Sequence, residues 1–233
     1  MPGSGPTASI TGRGTAEGAA AVQLARLRAE FVLLFVAAPA AMAVLLPPER
    51  VFTALFLLTA LGIVLLHRTP GFRWSELAAP GAMPWRFAAG FTLATVVTAG
   101  AAVAIAVPEA AFEPARSQPA LMAAIVLLYP LFSALPQELI YRPMFFRRYA
   151  PILPGALWPG LLLNAGVFAF AHLMYWSWLV AAMTFTGGLA FAWAYRARGS
   201  FPMALLLHAV AGWIVFGAGL GLFFYSGNVT RPF

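Results

Sequence analysis

Long stretches without charged residues recur along this chain, and they constrain its fold more than any other feature. Seven of them follow the first thirty residues: Phe31–Leu46, Val51–Leu66, Phe87–Val107, Ala120–Gln137, Ala150–Ala171, Leu173–Tyr195 and a C-terminal stretch that holds His208. A helix needs about 20 predominantly apolar residues to cross a bilayer. The sequence therefore predicts an all-α membrane bundle of about seven transmembrane helices, within a range of roughly six to eight.

The composition excludes an ordinary soluble fold. Apolar residues make up 62% of the 233 residues and charged residues only 9%, against about 45–50% and about 25% in globular proteins. The net charge of +7 comes from arginines that are scattered between apolar runs and form no basic stripe. We therefore expect the lipid bilayer as a partner and no nucleic acid. Without cysteine, the chain has no disulfide, thiolate ligand or cysteine nucleophile.

The arginines also predict the orientation in the membrane. If the N-terminus lies inside, only Arg50, Arg116 and Arg231 fall in outside segments, and the other 11 of the 14 arginines lie inside or at the inner interface. Cytoplasmic loops carry an excess of basic residues, so we expect the N-terminus inside and the C-terminus outside. Residues 1–30, rich in Gly, Ala, Ser and Thr, are predicted to be a disordered cytoplasmic tail, and residues 31–233 the transmembrane domain.

A few ionisable residues lie within the apolar stretches. Each costs roughly 2.5–3.5 kcal/mol on insertion scales, so each is a functional hypothesis. Glu138 and Arg142 are four residues apart, which places them on one helical face in the order that favours an ion pair. His172 ends the fifth stretch and His208 lies in the last. This spacing permits one intramembrane cavity that contains Glu138 and both histidines.

Three motifs resemble those of the CAAX-protease and bacteriocin-processing (CPBP, Abi-type) family of intramembrane proteases. They are Gln137-Glu138-x-x-x-Arg142, then Phe168-x-x-x-His172, then His208 in the final span. The family shows Glu-Glu-x-x-x-Arg, Phe-x-x-x-His and His-x-x-x-Asn in this order. The resemblance places the protease-like core at about residues 120–224. It implies an intramembrane endopeptidase of the bacterial cytoplasmic membrane, acting on a peptide or protein substrate presented from the bilayer.

Two departures from the family pattern concern the chemistry directly. Gln137 replaces the first Glu of the pair, which in the family is the carboxylate that activates water, and Gly212 stands where the family has Asn. Glutamine positions water but cannot take its proton. If the base must stand at position 137, the protein is inactive on peptides; if Glu138 is the base, it is active as it stands. We expect Glu138 to supply the carboxylate.

The resemblance also implies roles for the remaining residues. His172 would position the water for Glu138, His208 would be an oxyanion donor or a second orienting group, and Arg142 would hold Glu138. Asn164 is expected to make an interhelical polar contact, with replacement of the missing family Asn as the alternative. We expect no cofactor. Two histidines and one glutamate also match a catalytic zinc set, so the ligands of any zinc would be Glu138, His172 and His208.

A second class of function stays open on the sequence. A non-catalytic relative, acting as a scaffold or in proton-coupled transport, would also place Glu and His in the membrane. Transporters usually show repeated halves or matched broken helices, and the sequence has no convincing internal repeat. The metal-free endopeptidase is therefore the favoured interpretation.

Overall fold

The computed structural model of the chain describes residues 10–229 and 231. Seven of its helical segments are long and apolar enough to cross a membrane; we number them as spans one to seven: Glu17–Leu45, Pro48–His67, Trp85–Ala106, Pro119–Arg148, Leu157–Tyr175, Trp178–Arg196 and Phe201–Ala218. The described part of the chain contains no β-strand. The predicted all-α membrane bundle with seven spans is confirmed.

The helices have the following bounds. The α-helices are Ile10–Val32, Ala38–Leu45, Val51–His67, Ser75–Ala78, Trp85–Ala106, Glu113–Ser117, Pro119–Tyr129, Leu135–Leu139, Leu157–Ala171, Trp178–Arg196, Phe201–Ala218 and Gly221–Phe224. Wider π-helical segments cover Leu33–Ala37, Pro130–Ala134 and Ile140–Arg148. Short 3₁₀ turns occupy Pro48–Arg50, Pro108–Ala110, Ala150–Ile152, Leu173–Tyr175 and Ser226–Asn228.

Span four widens from α-helix to π-helix twice, and its prolines explain why. Proline has no backbone N–H and its ring clashes with the carbonyl one turn earlier, so an α-helix cannot continue through it undisturbed. Pro130 opens the π-helical segment Pro130–Ala134, and Pro143 lies inside Ile140–Arg148. Gln137 and Glu138 lie between these wider turns, and Arg142 lies within the second. The wider turns set the directions of these side chains.

Spans four to seven form the packed part of the bundle. Span six packs against spans five and seven, span seven also contacts span three, and span four lies against span two. Gly188 in span six permits a close approach to span five, since an added Cβ would lie 2.8 Å from Cδ1 of Phe168. The main apolar core surrounds the C-terminal part of span four, where Phe145 and Tyr149 are fully buried.

The first helix differs from the expected disordered tail over residues 1–30. The chain is helical from Ile10 to Val32. Residues 1–9 of the expected tail lie outside the described residues. Residues 16–30 are rich in Ala, Leu, Gln, Glu and Arg, the strongest helix formers, and this propensity prevails over the Gly, Ser and Thr that precede them. Glu30 also bonds to Arg148 of span four, which fixes this helix to the bundle.

Span five begins later than the apolar pattern suggested. The uncharged stretch starts at residue 150, but the α-helix starts at Leu157. Pro151 and Pro154 lie in the intervening segment and restrict it to a short 3₁₀ turn and extended backbone. Span four, in turn, continues beyond the uncharged stretch to Arg148.

Candidate active site

A fully buried ion pair lies in span four, on the side that faces spans five and seven. Arg142 Nε donates to Glu138 Oε2 at 2.9 Å and Nη2 donates to Oε1 at 3.3 Å. Neither side chain has any exposed surface. A buried ion pair is tolerated only when the geometry is good and the remaining polar atoms are bonded. Further groups therefore complete the hydrogen bonding of Arg142 and of Glu138.

Asn164 of span five completes the hydrogen bonding of Arg142. Its Oδ1 accepts from Arg142 Nη1, and its Nδ2 donates to the backbone carbonyl of Tyr141 at 2.7 Å. The guanidinium carbon lies 5.2 Å from the ring centre of Phe168 and 5.7 Å from that of Phe191. Asn164 thus makes the interhelical polar contact that was expected, and it holds Arg142 against Glu138.

His208 of span seven completes the coordination of Glu138. Its Nδ1 lies 2.9 Å from Glu138 Oε1, and its ring stacks on Phe191 with the ring centres 4.9 Å apart. A carboxylate only accepts hydrogen bonds, so His208 Nδ1 carries the hydrogen. In the neutral imidazole, Nε2 is then left as a hydrogen-bond acceptor.

His172 ends the α-helix of span five and is oriented by its own backbone. Its Nδ1 lies 2.8 Å from the carbonyl oxygen of Phe168, one turn earlier. Because a carbonyl oxygen only accepts, Nδ1 donates here as well, and Nε2 of His172 is also an acceptor when the ring is neutral. The rings of both histidines pack edge-on against Phe168, at 4.6 Å for His172 and 5.6 Å for His208.

Two cavities meet at this place. The first, of about 450 Å³, lies between spans one, two and four, and the second, of about 390 Å³, lies between spans three, six and seven. Four side chains line both: Tyr129, His172, Phe216 and Phe224. His208 lines the second cavity, so the two histidines share it.

Gln137 and Glu138 point in different directions, as neighbours on a helix do. Gln137 lines the first cavity together with His172, and its Nε2 donates to Ser133 Oγ at 3.1 Å. Glu138 lines neither cavity and contacts His208. Each of the two is thus associated with a different histidine.

The donor set does not match a zinc site. Among the described residues, no group of three or more His, Cys, Asp or Glu side chains is placed to hold a metal ion. Both oxygens of Glu138 are bonded to Arg142 and His208, so the carboxylate has no free side for a metal shared with His172. We derive no step through a metal.

One residue of this site escaped the sequence analysis. Tyr129 of span four lines both cavities, and its ring centre lies 6.0 Å from that of His208. In the sequence it ends an apolar run before Pro130 and looks like any membrane tyrosine. The usable signal is its partner, since a glycine one turn after His208 leaves room for a large ring.

A comparison with protein-family models gives one match. The model described as Rce1-like, type II CAAX prenyl endopeptidase, matches residues 119–214. The matched segment holds the three motifs from Gln137 to His208, so the resemblance inferred from them is confirmed. No curated protein matches the chain, and neither does any solved structure.

Proposed function

Residues 119–214 match the Rce1-like family model of type II CAAX prenyl endopeptidases, and from this premise we propose that the protein is an intramembrane endopeptidase of that type. The seven spans make it an integral membrane protein. Its substrate would be a peptide bond in a segment presented from the bilayer or at the C-terminus of a protein. The observation that carries the proposal is the contact between a fully buried carboxylate, Glu138, and His208, whose ring lines a cavity.

Peptide hydrolysis first needs a group that takes a proton from water. Glu138 fixes the tautomer of His208 and stabilises the imidazolium that forms when Nε2 accepts a proton. The sequence predicted that Glu138 itself accepts the proton from water. Since Arg142 and His208 enclose this carboxylate, we assign the proton to His208, with Glu138 acting through it.

His172 supplies the second contact for the water. A water molecule in the second cavity donates one hydrogen to His208 Nε2 and the other to His172 Nε2, which leaves an oxygen lone pair for the substrate carbonyl carbon. As the new C–O bond forms, the carbonyl π electrons move to its oxygen and the proton goes to His208. His208 then returns that proton to the amide nitrogen as the C=O bond re-forms and the C–N bond breaks, giving a carboxylic acid and an amine.

Cleavage of a labelled peptide by the purified protein tests this proposal. The protein in lipid vesicles is mixed with a peptide that ends in a farnesylated CAAX sequence, and with the same peptide without the lipid. We expect cleavage of the farnesylated peptide by the native protein, and loss of it in His208→Ala and His172→Ala. The control is Glu76→Gln, whose carboxylate pairs with Arg147 at a partly exposed position away from the cavities. A native protein that cleaves neither peptide would exclude the proposal.

The same assay addresses the metal. We propose that hydrolysis needs none, so activity should persist after dialysis against a chelator. Activity that disappears on dialysis and returns with zinc would instead assign Glu138, His172 and His208 to a metal and overturn the mechanism above.

One observation favours a second candidate function. The larger cavity is lined by Gln137 and by no carboxylate, although Gln137 stands where the family carries its water-activating Glu. A non-catalytic family member, with a scaffold or proton-coupled transport role, would have this arrangement. The discriminating variant is Gln137→Glu. If it gains peptidase activity that the native protein lacks, the non-catalytic function is correct.

We also propose the predicted orientation, with the N-terminus on the cytoplasmic side of a bacterial inner membrane and the C-terminus outside. The unequal distribution of arginines supports it. A reporter fused to the C-terminus should be active only outside the cytoplasm. A fusion that is active only in the cytoplasm would contradict an odd number of spans.

A further inference from the structure

The ring of Tyr129 occupies space that Gly212 leaves open. A Cβ added at Gly212 would lie 2.2 Å from Cε1 and 2.5 Å from Cζ of Tyr129, closer than real side chains approach. Only glycine therefore fits at position 212 while the ring of Tyr129 stays where it is. Gly212 is one helical turn after His208, so the ring from span four lies against span seven directly beside the proposed base.

The phenol group of Tyr129 lies where the two cavities meet. Tyr129 and His172 line both cavities, and the Tyr129 ring stands edge-on to His208 at an interplanar angle of 71°. The phenol interacts with Ser133, which accepts a hydrogen bond from Gln137. The hydroxyl is thus held among the polar groups of span four.

Hydrolysis also needs a hydrogen-bond donor for the oxygen of the tetrahedral intermediate. Both histidines use Nδ1–H for Glu138 or for a carbonyl, so each offers the cavity an acceptor. Three of the threonines that line the second cavity already donate to carbonyls of their own helices: Thr95, Thr184 and Thr186. A phenol hydroxyl can donate to an oxyanion without changing its charge state.

We propose that Tyr129 is a catalytic residue whose hydroxyl donates a hydrogen bond to the oxyanion of the tetrahedral intermediate. This inference rests on the proposed endopeptidase function and goes beyond it. Gly212 stands where the third motif of the family carries Asn, and an Asn side chain there would need the space of the Tyr129 ring. In this chain the ring of Tyr129, from span four, occupies that space, and the glycine in span seven makes room for it.

The test removes the hydroxyl and keeps the ring. Tyr129→Phe should lower kcat by about 10²–10³-fold, the usual effect of removing one oxyanion donor, and leave KM within about threefold. The matched control is Tyr195→Phe, which removes the hydroxyl of a partly buried phenol that lines neither cavity and should keep native kcat. Thermal unfolding in detergent should be the same for both variants and the native protein.

Moving the hydrogen-bond donor from position 129 to position 212 gives an independent test. Tyr129→Ala should be inactive, and Gly212→Asn alone should also be inactive because its side chain meets the Tyr129 ring. The double variant with both changes has room for the Asn amide and should recover at least about tenfold in kcat over Tyr129→Ala, as one restored donor can supply. Recovery in the double variant identifies the lost function as hydrogen-bond donation.

Two results would overturn this inference and leave the proposed function intact. The first is native kcat in Tyr129→Phe, while His208→Ala is inactive. The second is a Tyr129→Phe variant that changes only KM, which would mean that the hydroxyl binds substrate and does not act on the intermediate. A native protein that cleaves no peptide would overturn the endopeptidase and the role of Tyr129 together.

Discussion

Span four takes part in two Glu–Arg ion pairs that have the same chemistry and different roles. Arg142 pairs with Glu138 inside the bundle, where neither side chain is exposed, and Arg148 pairs with Glu30 of span one, where 11% and 15% of the side chains remain exposed. Both arginines bind their carboxylate through two nitrogens. The additional partners differ, and they indicate what each pair does.

The additional partners of the second pair belong to the scaffold. Arg148 Nη1 donates to the carbonyl of Leu65 in span two at 3.0 Å, and the Tyr149 hydroxyl donates to Glu30 at 2.7 Å. This pair therefore joins spans one, two and four. The inner pair instead contacts His208, which opens on a cavity. An intramembrane ion pair therefore indicates a catalytic role when one of its atoms contacts a side chain that lines a cavity.

The largest expected effect separates the two pairs by activity. Glu138→Gln should reduce kcat about 10⁴-fold, because an amide does not stabilise the imidazolium of His208 or fix its tautomer. The unfolding temperature in detergent should also fall, because the amide leaves the buried Arg142 charge without its counter-charge, so kcat is measured on the folded protein at a temperature below that transition. The measurement is cleavage of the farnesylated peptide, with Glu30→Gln as the matched change in the other pair. Full activity in Glu138→Gln would sink the proposed mechanism.

The second effect concerns the stability of the inner pair. Asn164→Leu removes the acceptor for Arg142 Nη1 and leaves a buried charged donor without its partner, which costs about 1–3 kcal/mol. We expect a lower unfolding temperature in detergent and a reduced kcat, because Glu138 loses its support. Asn164→Asp, which keeps an acceptor for Arg142, should retain more stability than the leucine variant; the opposite order would contradict this role.

A smaller loss of stability is expected in the outer pair. Glu30→Gln keeps an acceptor for Arg148 and Tyr149 at a partly exposed position, where an ion pair contributes up to about 1 kcal/mol. The unfolding temperature should fall by less than in Asn164→Leu, and kcat should not change. If Glu30→Gln lowers kcat as much as Glu138→Gln does, the distinction between a scaffold pair and a catalytic pair fails.

The smallest effect is expected next to the inner pair. Gln137→Ala removes a hydrogen bond to Ser133 and enlarges the first cavity, and it should lower kcat by only a few fold. The companion variant Gln137→Glu sharpens the result. A rise in kcat of about 100-fold or more, the scale of general-base catalysis, would place the base at position 137 and not at His208.

The sequence predicted the bundle and the inner pair because both follow local rules. Apolar run length gives the spans, and a spacing of four residues places Glu138 and Arg142 on one face of a helix. The polar contact of Asn164 follows from the cost of leaving an amide in an apolar helix. Each of these conclusions needs only residues that are neighbours along one helix.

The remaining features depend on contacts between distant segments. The pairing of Tyr129 with Gly212 joins spans four and seven, and nothing in either stretch by itself marks it. The π-helical turns of span four set the directions of the Gln137 and Glu138 side chains, and apolar periodicity does not show where a helix widens. The helix over residues 10–32 is held by Glu30, whose partner lies more than a hundred residues later.

The wide helical segment Ile140–Arg148 has a consequence for insertions and deletions. It carries one arginine of each ion pair, Arg142 and Arg148, and one residue more or less between them would rotate Arg148 by roughly a quarter of a turn relative to Glu138. Glu138 would then reach His208, or Arg148 would reach Glu30, but not both at once. A change of length between Arg142 and Arg148 is therefore not tolerated, because their spacing sets the rotational register between the scaffold and the candidate site.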